Sequence, residues 1–270
     1  MASLPEHATA TDALLAAVRS GIRVFDLGRE MFIGMPQSPN HPQYRTALQR
    51  RHGDVMRDDG GSAASELLVT GTHVGTHVDA LSHVSHCMKL YGGVDAAEAQ
   101  TGGRFSTHGV EQVEPVVCRG VLIDLGVCEP GHEVTPDELE AACPVPLHPG
   151  DVALVRTGWG RLWPDFDAYV GHDSGVPGPG EAGARWLASH RVRAAGADTI
   201  AFERVAPGAG HALLPAHRVL LVEHGIHIIE TLALEELAEA GVTEFLFVMS
   251  PLKLVGATGS PVRPLAVVPA

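Results

Sequence analysis

The sequence predicts an α/β fold, a single domain in which helices pack on a mixed β-sheet. Three observations predict it. Short apolar, β-branched runs recur along the chain, and helical stretches with start and stop signals of their own fall between them. Hairpins among the N-terminal segments would make the sheet mixed rather than parallel. With 270 residues, 45% of them hydrophobic, and neither a repeat nor a linker, the chain can bury one full core over residues 1–270.

Residues 11–20 (TDALLAAVRS) space their apolar residues as a helix does and stop at Gly21. Residues 26–42 are rich in Gly and Pro, yet carry Met31, Phe32, Ile33 and Met35. Such a loop packs either as a lid on the core or as a wall facing substrate. Residues 1–45 are therefore read as an N-terminal helix and a substrate-side loop. Strands are expected at 120–127, 151–159, 197–205, 219–229 and 244–249. Helices are expected at 135–142, which opens Thr-Pro-Asp-Glu, at 181–195, and at 234–240, which closes at Gly241.

Composition excludes several function classes. The 32 acidic residues against 19 Lys and Arg leave a net charge of -13. That balance argues against nucleic acid or an anionic membrane surface as partner. Every apolar run is cut by Gly, Pro or a charge well short of the roughly 20 residues that span a bilayer. Cys87, Cys118, Cys128 and Cys143 form no Cys-x-x-Cys pair, and the N-terminus carries no leader pattern. A reducing, cytoplasmic home is the expectation.

Sixteen histidines stand out, and four of them, His73, His77, His83 and His86, crowd with Asp79 into residues 71–86, GTHVGTHVDALSHVSH. Imidazole and carboxylate suit zinc, manganese and similar divalent ions, and the missing thiolate pair argues against a closed structural zinc site. His73, His77 and Asp79 are the expected ligands. Three protein ligands leave a position for water, as a catalytic metal requires. A straight strand would hold His73 and His77 roughly 13 Å apart at about 3.3 Å per residue, too far for one ion. The chain must bend, and Gly71 and Gly75 permit it. His83, four residues after Asp79, is the expected general acid and base, on the first turn of a following helix. His86 is read as a bystander.

A second group lies far along the chain, in residues 215–230, PAHRVLLVEHGIHIIE. It offers His217 and Glu230 to the same metal, although each alone reads as a capping or surface residue. His224 and His227 flank Gly225 and are expected to be exposed.

These residues resemble the metal-dependent cyclase superfamily that includes bacterial kynurenine formamidases and isatin hydrolases. Its His-x-Gly-Thr-His-x-Asp-x-x-x-His pattern is met by His73, Gly75, Thr76, His77, Asp79 and His83. The similarity extends to residues 156–159, 196–199, 228–230, 251–256 and 259–263. It implies a cyclase-like swivelling β/β/α fold, a homodimer, Mn2+ or Zn2+ in one-metal or two-metal sites, and hydrolysis of an amide in a small molecule. By motif, His73, His77 and Asp79 would be metal ligands and His83 catalytic. His217 and Glu230 sit near a later His and Glu of the family, as second-metal ligands or supporting groups.

The formamidases carry a Trp in the N-terminal Pro-rich loop and a Pro two residues after the ligand Asp; here the loop reads Met-Pro-Gln-Ser-Pro over 35–39, and the second position is Leu81. That points toward isatin hydrolases and lactam-opening enzymes, with Phe32, Met35 and Leu81 as candidate substrate contacts. The expected activity is ring opening of a small cyclic amide of isatin or lactam type. An aryl formamidase, a lactone hydrolase and a non-catalytic metal- or small-molecule-binding protein are the alternatives.

Overall fold

The strand Val116–Asp124 shows how the central sheet is made. Val121 and Ile123 enter the core on one face and Leu122 on the other, so the strand is apolar on both sides, as burial between two layers demands. Val152–Arg156 repeats the pattern, with Ala153 and Val155 on the first face and Val152 and Leu154 on the second.

The computed structural model describes residues 10–270. Nine strands share one sheet: β1 Ile22–Asp26, β2 His77–Asp79, β3 Val116–Asp124, β4 Val152–Arg156, β5 Ala194–Ala197, β6 His227–Glu230, β7 Glu244–Met249, β8 Gly259–Pro261 and β9 Leu265–Pro269. Their spatial order is β1-β9-β7-β3-β4-β5-β6-β2-β8. The pairs β3/β4, β4/β5 and β5/β6 are parallel and the outer pairs antiparallel, so the sheet is mixed. An N-terminal hairpin, Arg45–Arg50 with Ser65–Val69, stands apart from it with every residue exposed.

One face of the sheet is covered by the helices α2 (Pro136–Ala142) and α3 (Glu181–Ser189) and by the helical segment 215–224, through Leu139, Ala184, Leu187, Leu220 and Leu221. The other face packs Phe25, Leu27, Leu232, Phe245 and Phe247, with Leu237 from the helix Glu235–Glu239. The start of α2 is capped as its Thr-Pro-Asp-Glu opening predicts: Thr135 Oγ1 accepts from Glu138 N, and the Glu138 carboxylate accepts from Thr135 N. A third cluster joins Met35 of the 26–42 loop to Val74, Trp159, Trp163 and Tyr169.

Three expected elements are redrawn. The run 219–229 is not one strand: helical turns Pro215–His217 and Arg218–His224 end at Gly225, whose φ is 66°, and only His227–Glu230 pairs. A short, wholly apolar run reads equally as strand or buried helix. The expected strand 197–205 stops pairing at Ala197, because residues 198–205 turn away to carry polar side chains, and Phe202 takes a φ of 58°. The expected helix 181–195 ends at Ser189, and its last residues instead begin β5. The helix at 11–20 is found as α1, Ala10–Arg19. No described helix is long and apolar enough to cross a membrane.

Candidate active site

Beside β6, β2 runs antiparallel with Glu230 opposite His77, and β8 flanks its other side with Gly259 opposite Asp79. The turn before β2 bends as its glycines predict. Gly75 takes a φ of 70°, and a Cβ built there would lie 3.3 Å from the Met31 side chain. That bend returns His73 to the side of His77 and Asp79, so the three donor groups lie within 4.8 Å of one another. Gly259 leaves room for the His73 ring, which a Cβ would meet at 2.5 Å.

Each imidazole is oriented by a definite partner. His77 Nδ1 donates to Gly75 O at 2.8 Å, turning Nε2 toward Glu230 Oε2 at 3.3 Å and Asp79 Oδ1 at 3.6 Å. His217 Nδ1 donates to Glu203 Oε1 at 2.7 Å, turning Nε2 toward Glu230 Oε1 at 3.2 Å and Asp79 Oδ2 at 3.5 Å. His73 contacts Asp79 Oδ1 at 2.7 Å and Thr258 Oγ1 at 2.8 Å. His83 stacks on His73 with ring centroids 3.8 Å apart, and Asp79, His83 and His217 form a second donor group within 4.8 Å. It sits in a turn rather than on the helix expected there.

The donor set fits a divalent ion. Atoms bound to one tetrahedral ion at about 2.0–2.1 Å lie about 3.3 Å apart. The Nε2 atoms of His77 and His217 stand 3.2 to 3.6 Å from the carboxylate oxygens of Asp79 and Glu230, long for hydrogen bonds and suited to a shared ion. Asp79 is fully buried, and its Oδ2 has no hydrogen-bond partner. An ionised oxygen left so would be costly without a cation.

In the metal-free state protons fill that need. Burial opposes charge on Asp79, yet His83, His217 and His73 outweigh it and hold the carboxyl well below its usual range. Burial likewise opposes charge on Glu230, and His217 and His77 bring it down to about 2. His77 rises to about 8, since Glu230 and Asp79 overcome its burial, and the carboxylates Asp79, Glu203 and Glu230 raise His217 well above the ordinary imidazole value. Burial keeps His83 neutral, with its pKa lowered to about 3 against the pull of Asp79.

The structure thus brings His217 and Glu230 to His73, His77, Asp79 and His83. Phe32, Met35 and Leu81 stand elsewhere. Phe32 is exposed in a separate surface groove with Arg29 and Met31. Met35 is buried against the Trp159 cluster, and Leu81 packs on the helix side of the sheet. The same N-terminal loop does reach the site, but through Pro36, Gln37, Ser38 and His41, which line the pocket over the cluster. His86 is exposed, as expected for a bystander, whereas His227 is half-buried and contacts Asp79 O at 2.9 Å, so only His224 of that pair is exposed.

Sequence reasoning missed Glu203, Thr258, His41 and His211. Glu203 had one visible signal: an acid in an apolar segment, 1% exposed in the fold, must have buried partners. It has three, the Ala216 and His217 backbone N–H groups and His217 Nδ1.

A nine-stranded mixed sheet covered by helices, with a buried cluster of His, Asp and Glu side chains on and beside its β2 and β6 strands, defines an α/β protein with a candidate metal centre. The Cyclase family model matches residues 25–204, more than half of the chain, and the chain belongs to that family. It is 26% identical over 216 residues to an isatin hydrolase of Roseibium aggregatum, covering 78% of this chain and 77% of that protein. Among solved structures it is similar to a novel cyclase, with a TM-score of 0.82 and 30% identity over 96% of this chain and 93% of that one. Isatin hydrolase A from Ralstonia solanacearum shares the fold, with a TM-score of 0.73 and 23% identity over 98% of this chain and 100% of that one. A structure described as a predicted metal-dependent hydrolase from Bacillus stearothermophilus is also similar, with a TM-score of 0.60 and 25% identity over 92% of this chain and 98% of that one, so the relatives are hydrolases and the donor set here suits a divalent metal.

Proposed function

We propose that this protein opens a small cyclic amide, of isatin or lactam type, by hydrolysis. One observation carries the reading: Asp79 Oδ2, buried and without a partner, lies among imidazole nitrogens and the Glu230 carboxylate at separations an ion would span. His73, His77 and Asp79 are the proposed ligands of Mn2+ or Zn2+, with His217 and Glu230 as further donors or supporting groups. Such an ion, when bound, supplies Lewis acidity toward the amide carbonyl and lowers the pKa of its water to about 7.

The chain's own residues do the rest. His83 lines the pocket and is neutral, so a ring nitrogen can take the proton of the attacking water. The protonated ring can then hand that proton to the leaving nitrogen. Ring opening gives a carboxylate and an amine on one product. Glu203 holds His217 in the tautomer that leaves Nε2 free for the site.

The same reading carries a homodimer and a cytoplasmic home. Leu48, Leu67, Leu68 and Val69 of the N-terminal hairpin are about half exposed, apolar area of the kind a second copy covers. All four cysteines are free, which suits a reducing compartment.

The test joins metal analysis of the purified protein to an absorbance assay of ring opening, with isatin, a bicyclic γ-lactam and N-formylkynurenine as substrates. Turnover of isatin or the lactam, lost on chelation and restored by Mn2+ or Zn2+, is expected. Turnover of the formyl compound alone would replace the reading with a formamidase.

A further inference from the structure

The space left over the cluster is too small for a cyclic amide. It measures about 30 Å³, room for about two waters. Pockets that take a small organic molecule run to about 300–1,000 Å³. One of the walls must therefore move before such a molecule can reach the donor groups.

Most of the walls are tied down. The floor belongs to β2 and β6 and is held by their ladder. Ile200 and Ala201 are buried in the Trp159 cluster. The N-terminal loop is pinned by buried Met35 and by Gln37, whose amide donates to His41 O and Pro42 O and whose oxygen accepts from Tyr44 N. The remaining wall is His211 and Leu214, from the loop that precedes the helical turn Pro215–His217. That loop is held at its ends, where Gly208 N donates to His172 O and Ala216 N donates to Glu203 Oε2. Between those anchors, among the described residues, the backbone of 209–213 bonds only within the loop, from Ala209 N to Ala206 O and from Ala212 N to Ala209 O. Gly208 takes a φ of 71° with open space around it, the freedom a hinge requires.

Behind the loop lies a second hollow of about 250 Å³. Ala209, Gly210, Ala212 and Leu213 line it from the loop, and Ala206 lines it from before the hinge. The loop is thus a thin partition, with His211 and Leu214 toward the cluster and Leu213 toward the hollow. Leu213 is 83% exposed. Sinking into the hollow would bury it, which offsets the contact that Leu214 gives up.

We propose that residues 209–214 are a gate, which retreats into the outer hollow on hinges at Gly208 and Pro215 and so enlarges the site to substrate size. The gate rests on the cyclic-amide reading above only for the size of what must enter.

Filling the hollow from its fixed side tests the gate by binding alone, with two acids of different size on the Zn2+-loaded protein. Formate fits the present space and benzoate does not. Calorimetry is expected to show both binding to the wild-type chain. Ala206→Trp plugs the hollow and should weaken benzoate by about tenfold or more, the cost of overpacking, with formate within about twofold and metal content unchanged. Ala206→Leu is a smaller plug, used in case the first variant does not fold, and should weaken benzoate by about threefold. Unchanged benzoate affinity in whichever variant folds would overturn the gate. So would an equal loss of both acids, or failure of benzoate to bind wild-type protein that holds its metal. The ring-opening assay on the wild-type chain judges the hydrolase reading separately.

Discussion

At Asp79 two groups of imidazoles meet, His73 and His77 on one side and His83 and His217 on the other. His83 differs from the rest in facing the pocket with no hydrogen bond to its ring among the described residues. His83→Asn should therefore keep the metal and lower kcat by about 10²–10⁴. Metal stoichiometry measured beside turnover checks it, and unchanged kcat removes the role. Glu203 acts at one remove, through His217 Nδ1. Loss of such a partner weakens metal binding about 10–100-fold, so Glu203→Gln should do so in a competitive chelator titration. An unchanged affinity would show that the His217 tautomer needs no holding.

Charge at these residues also sets a pH dependence. His77, with a pKa of about 8, and His217, raised well above the ordinary imidazole value, are protonated at pH 7 in the metal-free protein. A cation takes the place of those protons, so binding at pH 7 should release roughly two of them. Affinity should strengthen as pH rises through 8. Stability of the metal-free protein runs the other way. The folded value of His77 lies above the ordinary 6.5, so its contribution is complete below pH 6.5 and is lost as pH rises through 8. Calorimetry in buffers of different ionisation enthalpy counts the protons, and release of none would refute the charge assignment.

Among the elements, the turn before β2 decides whether the motif becomes a site. Gly75 holds a φ of 70°, which a residue with a Cβ reaches at a cost of about 1–2 kcal/mol. Gly75→Ala should lower Tm by a few degrees and loosen the metal, because straightening the turn carries His73 away from His77. Equal Tm and metal content in the variant would show that the bend does not depend on glycine.

For the whole molecule, β2 and β6 are joined through the site as well as through their ladder, since His77 and Asp79 lie on one and Glu230 on the other. An ion at 100 times its Kd stabilises the fold by about 2.7 kcal/mol. For a chain of this size that corresponds to a rise in Tm of about 5–10 °C. Chelation should reverse the shift in a thermal melt, and a Tm indifferent to chelator would mean that the ion does not tie the strands together.

The local pattern by itself determined the α/β alternation, the capped start of α2, the strand Glu244–Met249 and the close set His73, His77, Asp79 and His83. These features lie within a few residues of one another, where spacing and glycine freedom act directly. Tertiary structure alone decided what distance in sequence conceals. The pairing of β6 with β2 sets Glu230 opposite His77, and the turn at residues 198–205 delivers Glu203 to His217. Gly259 makes room for His73, and two loops set His41 and His211 over the cluster. It also decided against Phe32, Met35 and Leu81 as walls of this pocket. An apolar side chain is drawn to whichever core cluster has space for it, and the sequence carries no mark of which cluster that will be.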